Sequence, residues 1–219
     1  MALKIYGVSR SRATRPLWLA RELGLEYEQV PVIQSYRLPD PAAPDAPLNT
    51  ASPAFLAINP NGQVPSIDDG GFVLHESLAI TLYLARKHGG PLAPRDAREE
   101  ALMTMWSLWA ATNVEDNALQ VMMHLPAAAP KHDAARAQAA VAALRRPFAA
   151  LERGLQAGGG HLVGGRFTVA DLNVAEVVRY AQPAKELFAE FPAVQSWIAA
   201  CQSRPAFQAM MAEREKEPA

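Results

Sequence analysis

Apolar and polar residues alternate with two different periods through the first part of the chain. Leu3, Ile5 and Gly7 with Lys4 and Tyr6 between them predict a short strand over 3–7. Leu17, Leu19, Ala20 and Leu23 then follow a helical period, which predicts a helix over 13–23 stopped by Gly24. Val30 and Val32 alternate with Gln29 and Pro31, so 27–32 is a second strand, with Pro31 marking an edge or an end. Pro39, Pro41, Pro44, Pro47 and Pro53 make 34–53 an irregular surface loop. A single helical turn over 54–58 precedes Asn59-Pro60-Asn61-Gly62, a strong turn signal. Residues 64–68 and 72–74 form a hairpin turned at Asp69-Gly70. Leu78, Ala79, Leu82, Tyr83 and Ala85 give 76–87 an apolar helical face, ended by Gly89-Gly90.

Beyond this point every periodic segment is helical. One long amphipathic pattern runs over 95–125 and ends at Pro126. A second covers 134–156, where Pro147 predicts a kink or a split, and Gly158-Gly159-Gly160 stops it. Shorter helices are expected over 169–180, 193–201 and 206–213. The order βαβ, loop, ββα therefore defines an α/β domain over 1–88, with a small mixed sheet flanked by helices. A linker over 89–95 leads to an all-α domain over 96–219.

Composition narrows the function. The chain has 219 residues, half of them hydrophobic, which is ample for a core without staples. Its 21 basic and 22 acidic residues give a net charge of -1, offering no long-range pull on nucleic acid or an anionic membrane. No apolar run is long enough to span a bilayer, and the start lacks the pattern of a leader peptide. The single cysteine, Cys201, excludes an internal disulfide and a CxxC pair, which points to a reducing cytoplasm. The histidines and Cys201 show no metal-ligand spacing, so no metal is expected. The first strand is not followed by GxGxxG, which disfavours a dehydrogenase.

Four short segments carry more specific information. Asn59-Pro60-Asn61-Gly62-Gln63-Val64-Pro65 places an X–Pro bond, the one cheap site for a cis peptide, at the entry to a strand. A cis bond there would turn the N–H and C=O of Val64 outward, where an extended peptide pairs as a strand would. His75-Glu76-Ser77 opens a helix whose first N–H groups and dipole suit a carboxylate, with the Ser77 hydroxyl as a further donor. Glu76 and Ser77 are also favourable capping residues, and the two roles share one geometry. Ser11-x-x-x-Arg15 lies between the first strand and first helix, among Arg10, Arg12, Ser9 and Thr14. Ser11 there is either a helix cap or a donor to a ligand. Thr168-x-x-Asp171 fits a capping box, with Phe167 and Leu172 at the positions of a hydrophobic staple.

In these four segments and in element order the whole chain resembles the cytosolic glutathione transferase superfamily, of serine type. The resemblance implies a thioredoxin-like first domain and reduced glutathione as cosubstrate, bound at its cysteinyl unit by Val64. It implies that Ser77 and the helix start take the γ-glutamyl carboxylate while Glu76 faces its ammonium. Ser11 becomes the catalytic hydroxyl that donates to the glutathione sulfur; Ser9 and Thr14 are rival hydroxyls. A donor to the thiolate lowers a thiol pKa from about 8.5, each unit favouring thiolate by about 1.4 kcal/mol. Gln63 falls where relatives carry a polar residue near the tripeptide. Arg37, the one basic residue between Val32 and Gly62, is the candidate for the glycyl carboxylate. Trp106, Trp109 and Asn113 sit at i, i+3 and i+7 and share a helical face, as pocket for a small hydrophobic electrophile or as core. The resemblance further implies conjugation of glutathione to that electrophile, by a homodimer. Alternatives on the same scaffold are a glutathione-dependent isomerase, dehalogenase or peroxidase, or a non-catalytic binding or regulatory protein.

Overall fold

The structure is a computed structural model that describes residues 2–127 and 129–217. By contacts the chain divides into two compact units, Met1–His88 with Pro205–Ala219, and Gly89–Arg204.

Among the described residues the first unit is built on four strands, four α-helices and a 3-10 turn. They are β1 (Leu3–Tyr6), α1 (Thr14–Glu22), β2 (Tyr27–Val30), a 3-10 turn (Ser35–Arg37), α2 (Pro53–Leu56), β3 (Ser66–Asp69), β4 (Phe72–His75) and α3 (Ser77–His88). The C-terminal helix Pro205–Lys216 also belongs here. The sheet order is β2-β1-β3-β4, with β1 parallel to β2 and antiparallel to β3, which pairs antiparallel with β4. Pro31 follows β2, the edge strand, where a missing N–H costs no ladder bond. Ile5 lies opposite Ile67, and both are fully buried with Leu17, Trp18, Ile80 and Leu84. Tyr6, next along the strand, points to the other face and packs with Val32 and Phe55. Val64 leans on that same cluster.

The Pro-rich loop over 34–53 is irregular apart from the 3-10 turn, as its composition requires. It is nonetheless tied down. Asn49 is fully buried, and its amide donates to the carbonyls of Pro41 and Pro47 at 3.0 and 2.9 Å.

The second unit comprises α4 (Ala97–Trp109), a π-helical turn (Ala110–Val114), α5 (Glu115–His124), α6 (Ala134–Ala157), α7 (Val169–Val178), a 3-10 turn (Arg179–Ala181), α8 (Lys185–Glu190) and α9 (Pro192–Gln202). In this order the C-terminal helix Pro205–Lys216 is α10. The predicted single helix over 95–125 is thus two helices joined by a π turn, which widens the helix by one residue per turn. Pro147 does not split α6, which continues through it. The short α8 was not marked by the sequence pattern. Every residue of α7 is buried, so this helix is the centre of the unit. Asn173 on α7 donates to the Ser107 hydroxyl of α4 at 2.9 Å, satisfying a polar pair inside the core. Glu152 of α6 accepts the first N–H groups of α9, from Ala193 and Val194 at 3.1 and 2.9 Å. A carboxylate at that end complements the helix dipole.

The capping box at the start of α7 is formed. Asp171 is fully buried and accepts from the N–H of Thr168 (2.9 Å), the N–H of Leu162 (3.1 Å) and the Trp197 indole (3.0 Å). Burial pushes its carboxyl above the usual range, against the opposing pull of those donors. Phe167 carries the Arg204 guanidinium over its ring, 3.9 Å from the centroid.

Candidate functional site

The loop between β1 and α1 and the first residue of α1 carry three hydroxyls between them, and the structure separates them. Thr14 is fully buried and its hydroxyl donates to the Ser11 carbonyl at 3.2 Å. Ser9 is 2 % exposed. Ser11 alone of the three is partly open to solvent. Its hydroxyl donates to the Val8 carbonyl at 2.6 Å and accepts from the Ala13 N–H at 3.0 Å. The latter bond closes a turn within the loop and is not a helix cap: the N-cap residue of α1 is Ala13, which has no side-chain cap bond.

Gly7 brings this loop against the strand entry from Val64. Its φ is +140, a conformation that L side chains rarely adopt. A Cβ on Gly7 would lie 2.9 Å from the Ala13 Cβ, 3.3 Å from the Val64 Cβ and 3.7 Å from the Ser11 hydroxyl oxygen. Only glycine permits so close an approach, so Ser11 and Val64 share one small region. The Val64–Pro65 peptide is cis. Asn59 fixes the turn before it: its amide donates to the Gln63 carbonyl at 2.7 Å and to the Ser66 hydroxyl at 3.2 Å. The Gln63 side chain belongs to an exposed residue of that turn.

The start of α3 faces the same unit's first helix. Ser77 is 5 % exposed, and Arg15, 1 % exposed, donates from Nη1 to its hydroxyl oxygen at 2.9 Å. Arg15 therefore fills an acceptor position on Ser77 and leaves its O–H to point elsewhere as a donor. Glu76 is exposed and has φ +66, the one non-glycine with positive φ among the described residues. Such a backbone costs on the order of 1–3 kcal/mol and clusters at ligand clamps. His75 sits behind this, with Nδ1 at 3.1 Å from the Ser66 hydroxyl.

Arg37 joins the site's border through Gln34. Its Nη1 donates to the Gln34 side-chain oxygen at 3.3 Å, and the Gln34 amide donates to the Arg10 carbonyl, also at 3.3 Å. The 3-10 turn thus brings a cation beside the loop that holds Ser11. Sequence reasoning missed Gln34, whose role depends on a contact between loops distant in sequence.

Trp106, Trp109 and Asn113 belong to the second unit. The two indoles meet edge to face with centroids 5.1 Å apart. A Cβ on Gly154 would come within 2.8 Å of the Trp106 ring, so Trp106 packs into a glycine notch on α6. Asn113 is exposed within the π turn and donates to the Trp109 carbonyl (3.3 Å) and the Thr112 hydroxyl (2.9 Å).

A thioredoxin-like α/β unit with a cis-proline strand entry, joined to an all-helical unit, defines a class, and comparison with known proteins makes it specific. Residues 10–87 match the family model for the glutathione S-transferase N-terminal domain. Residues 114–205 match that for the C-terminal domain. Glutathione S-transferase 3 of Zea mays is 33% identical over 96% of this chain and 93% of its own. A solved glutathione S-transferase III in apo form aligns with TM-score 0.78 at 31% identity, covering 100% of both chains. A glutathione S-transferase-I bound to lactoylglutathione aligns with TM-score 0.79 at 27% identity, over 97% of this chain and 100% of that one. The chain belongs to the glutathione S-transferase family and is an enzyme of that family.

Proposed function

We propose that the first unit binds reduced glutathione and that Ser11 stabilises its thiolate for attack on a small hydrophobic electrophile. The observation that carries this reading is the convergence at Gly7, where the Ser11 hydroxyl and Val64 flank one glycine. Among the described residues the main-chain N–H and C=O of Val64 have no hydrogen-bond partner. They are the groups that pair with the cysteinyl unit, which sets the sulfur beside Ser11. Ser77, held by Arg15, donates to the γ-glutamyl carboxylate together with the first N–H groups of α3. Glu76, on its strained backbone, receives the ammonium. Gln63 lies at the rim of the tripeptide, and Arg37 takes the glycyl carboxylate.

Glutathione is the nucleophile in this scheme. The protein supplies orientation and a preorganised donor where negative charge resides. The Ser11 hydroxyl turns from the Val8 carbonyl to the thiolate when glutathione binds, exchanging a neutral acceptor for a charged one. Replacing Ser11 by Ala is expected to lower turnover at least tenfold while glutathione affinity changes little. That same bond to Val8 favours a second reading, in which Ser11 only braces its own loop and the protein holds glutathione without activating it. Unchanged turnover in the Ser11→Ala variant supports that second reading.

Trp106, Trp109 and Asn113 are the proposed contribution of the helical unit to electrophile binding. The protein is proposed to work in the cytoplasm as a two-fold homodimer. Among the described residues no helix is long and apolar enough to cross a membrane. Leu102, Met105 and Leu108 lie exposed at 45, 43 and 61 % along one side of α4. That stripe suits a self-complementary contact with a second copy. Sedimentation at micromolar concentration is expected to report a dimer, and Leu108→Glu a monomer.

A further inference from the structure

The C-terminal end of the chain reaches the loop that carries Ser11. Glu217 receives two successive main-chain donors there: the N–H of Ser9 to Oε1 at 2.8 Å and the N–H of Arg10 to Oε2 at 3.0 Å. The Arg10 side chain closes the pair, its Nε donating to the Glu217 carbonyl at 3.0 Å. All three bonds join residues more than two hundred positions apart. The helix that delivers Glu217, α10, is anchored along α1. Phe207 meets Trp18 edge to face at 4.9 Å between centroids, and Glu213 pairs with Arg21. Glu217 therefore follows directly on a helix docked against α1, and it falls on the loop rather than on the helix α1.

The loop needs such a contact. Ser9 is buried, and a buried N–H without an acceptor costs about 1–3 kcal/mol. Successive N–H groups aimed at one carboxylate form a small anion-binding concavity. The same stretch fixes the hydroxyl of Ser11: the Val8 carbonyl holds it from one side and the Ala13 N–H from the other. Ser9 and Arg10 are the only residues between Val8 and Ser11, so their orientation sets the distance and direction from one to the other.

We propose that Glu217 is a positioning residue for catalysis: its carboxylate braces the Ser9–Arg10 backbone and so aims the Ser11 hydroxyl at the glutathione sulfur. The proposal rests on the role of Ser11 given above. The C-terminal segment then acts as a strap on the catalytic loop, touching neither glutathione nor the electrophile. Among the described residues no hydrogen bond or ion pair joins Glu217 to Val64, Glu76 or Ser77, so the strap governs what Ser11 does to the sulfur more than whether glutathione binds.

Two variants of the whole 219-residue chain test it. Glu217→Gln keeps the shape but leaves one acceptor where two donors arrive. Removal of residues 217–219 deletes the brace and leaves Phe207 and Glu213 in place. Amide exchange by NMR is read first, because it does not depend on chemistry: the Ser9 and Arg10 amides are expected to exchange at least tenfold faster in both variants, with the α3 amides unchanged. Turnover is expected to fall threefold to tenfold with the glutathione KM within twofold. The thiol pKa of bound glutathione, read from the ultraviolet thiolate band, is expected to rise in Glu217→Gln. A fall in that pKa overturns the proposal, since it means the carboxylate acts as a negative charge opposing the thiolate. Faster exchange with unchanged turnover and unchanged thiol pKa also overturns it, because the strap then exists and positions nothing. Unchanged exchange overturns it at the level of the contact itself. Failure of the Ser11 reading is distinguishable: wild-type protein then shows no thiolate band at saturating glutathione, while the exchange result still reports on the strap.

Discussion

Arg15 Nη1 donates to the Ser77 hydroxyl oxygen at 2.9 Å, and both residues are buried. This bond ties the first helix to the start of the third, so the loop that carries Ser11 and the start of α3, the proposed seat of the γ-glutamyl carboxylate, are held in one register. It also orients Ser77. With a guanidinium on its oxygen, the hydroxyl proton is directed outward as a donor.

Removing that donor tests its role. Ser77→Ala is expected to weaken glutathione binding by roughly tenfold or more, the scale of a hydrogen bond to a charged group. Turnover at saturation changes little, because the bond is present equally in ground and transition states. Calorimetric titration with glutathione and a KM-against-kcat comparison check this. A fall in kcat at unchanged KM contradicts it.

Gly7→Ala introduces a Cβ 2.9 Å from the Ala13 Cβ at a φ of +140. Overpacking together with the unfavourable backbone is expected to cost roughly 2–4 kcal/mol of stability, read by denaturant titration. Activity per folded molecule falls as well, because Ala13, two residues from Ser11, and Val64 are the neighbours that must give way.

The first unit was legible in the sequence because its punctuation is chemical. Gly24, Pro31, the Asn59–Gly62 turn and Gly89-Gly90 end elements for reasons that hold locally, and the observed strands and helices begin and end at them. Legibility fails where the cause is a distant contact. The π turn at Ala110–Val114 interrupts a pattern that reads as one helix, because apolar periodicity tolerates one inserted residue. The helix α8 is too short to develop a period. The helix α10 reads as one more helix of the second domain, yet it packs on α1 through Phe207 and Trp18. In the candidate site, Ser11, Val64, Glu76 and Ser77 are proposed from motif and local geometry. Gln34 and Glu217 could not be, since neither has a local signature and each reaches the loop from far along the chain.

Glu99 offers a pH-dependent test of the second unit. Arg166 grips it with both terminal nitrogens, at 2.9 and 2.7 Å, while also donating to the carbonyls of Pro91 and Ala93. This hydrogen bonding from Arg166 lowers the Glu99 carboxyl from 4.5 to about 2. A depressed acid stabilises the fold above its unfolded pKa and loses that contribution as pH falls through the folded one. Glu99→Gln is therefore expected to be less stable than wild type at pH 7, by about 1 kcal/mol given solvent screening. The difference should shrink between pH 4.5 and pH 2. A gap independent of pH across that window contradicts the ion-pair account.

Asp171 is expected to matter for folding alone. Its carboxylate collects the N–H groups of Leu162 and Thr168 and the Trp197 indole inside the core. Asp171→Ala strands these donors and is expected to cost about 3–5 kcal/mol. Thermal unfolding reads the loss. Where the variant stays folded, its kcat should match the wild type.

The central claim is that Ser11 stabilises the thiolate of bound glutathione, and ultraviolet difference titration measures it directly. Reduced glutathione is added to wild-type protein and to Ser11→Ala near neutral pH while the thiolate band is followed. A saturable band in the wild type is predicted, sharply reduced in Ser11→Ala at equal occupancy. Equal bands in the two proteins, or no band in the wild type at saturating glutathione, would contradict the account.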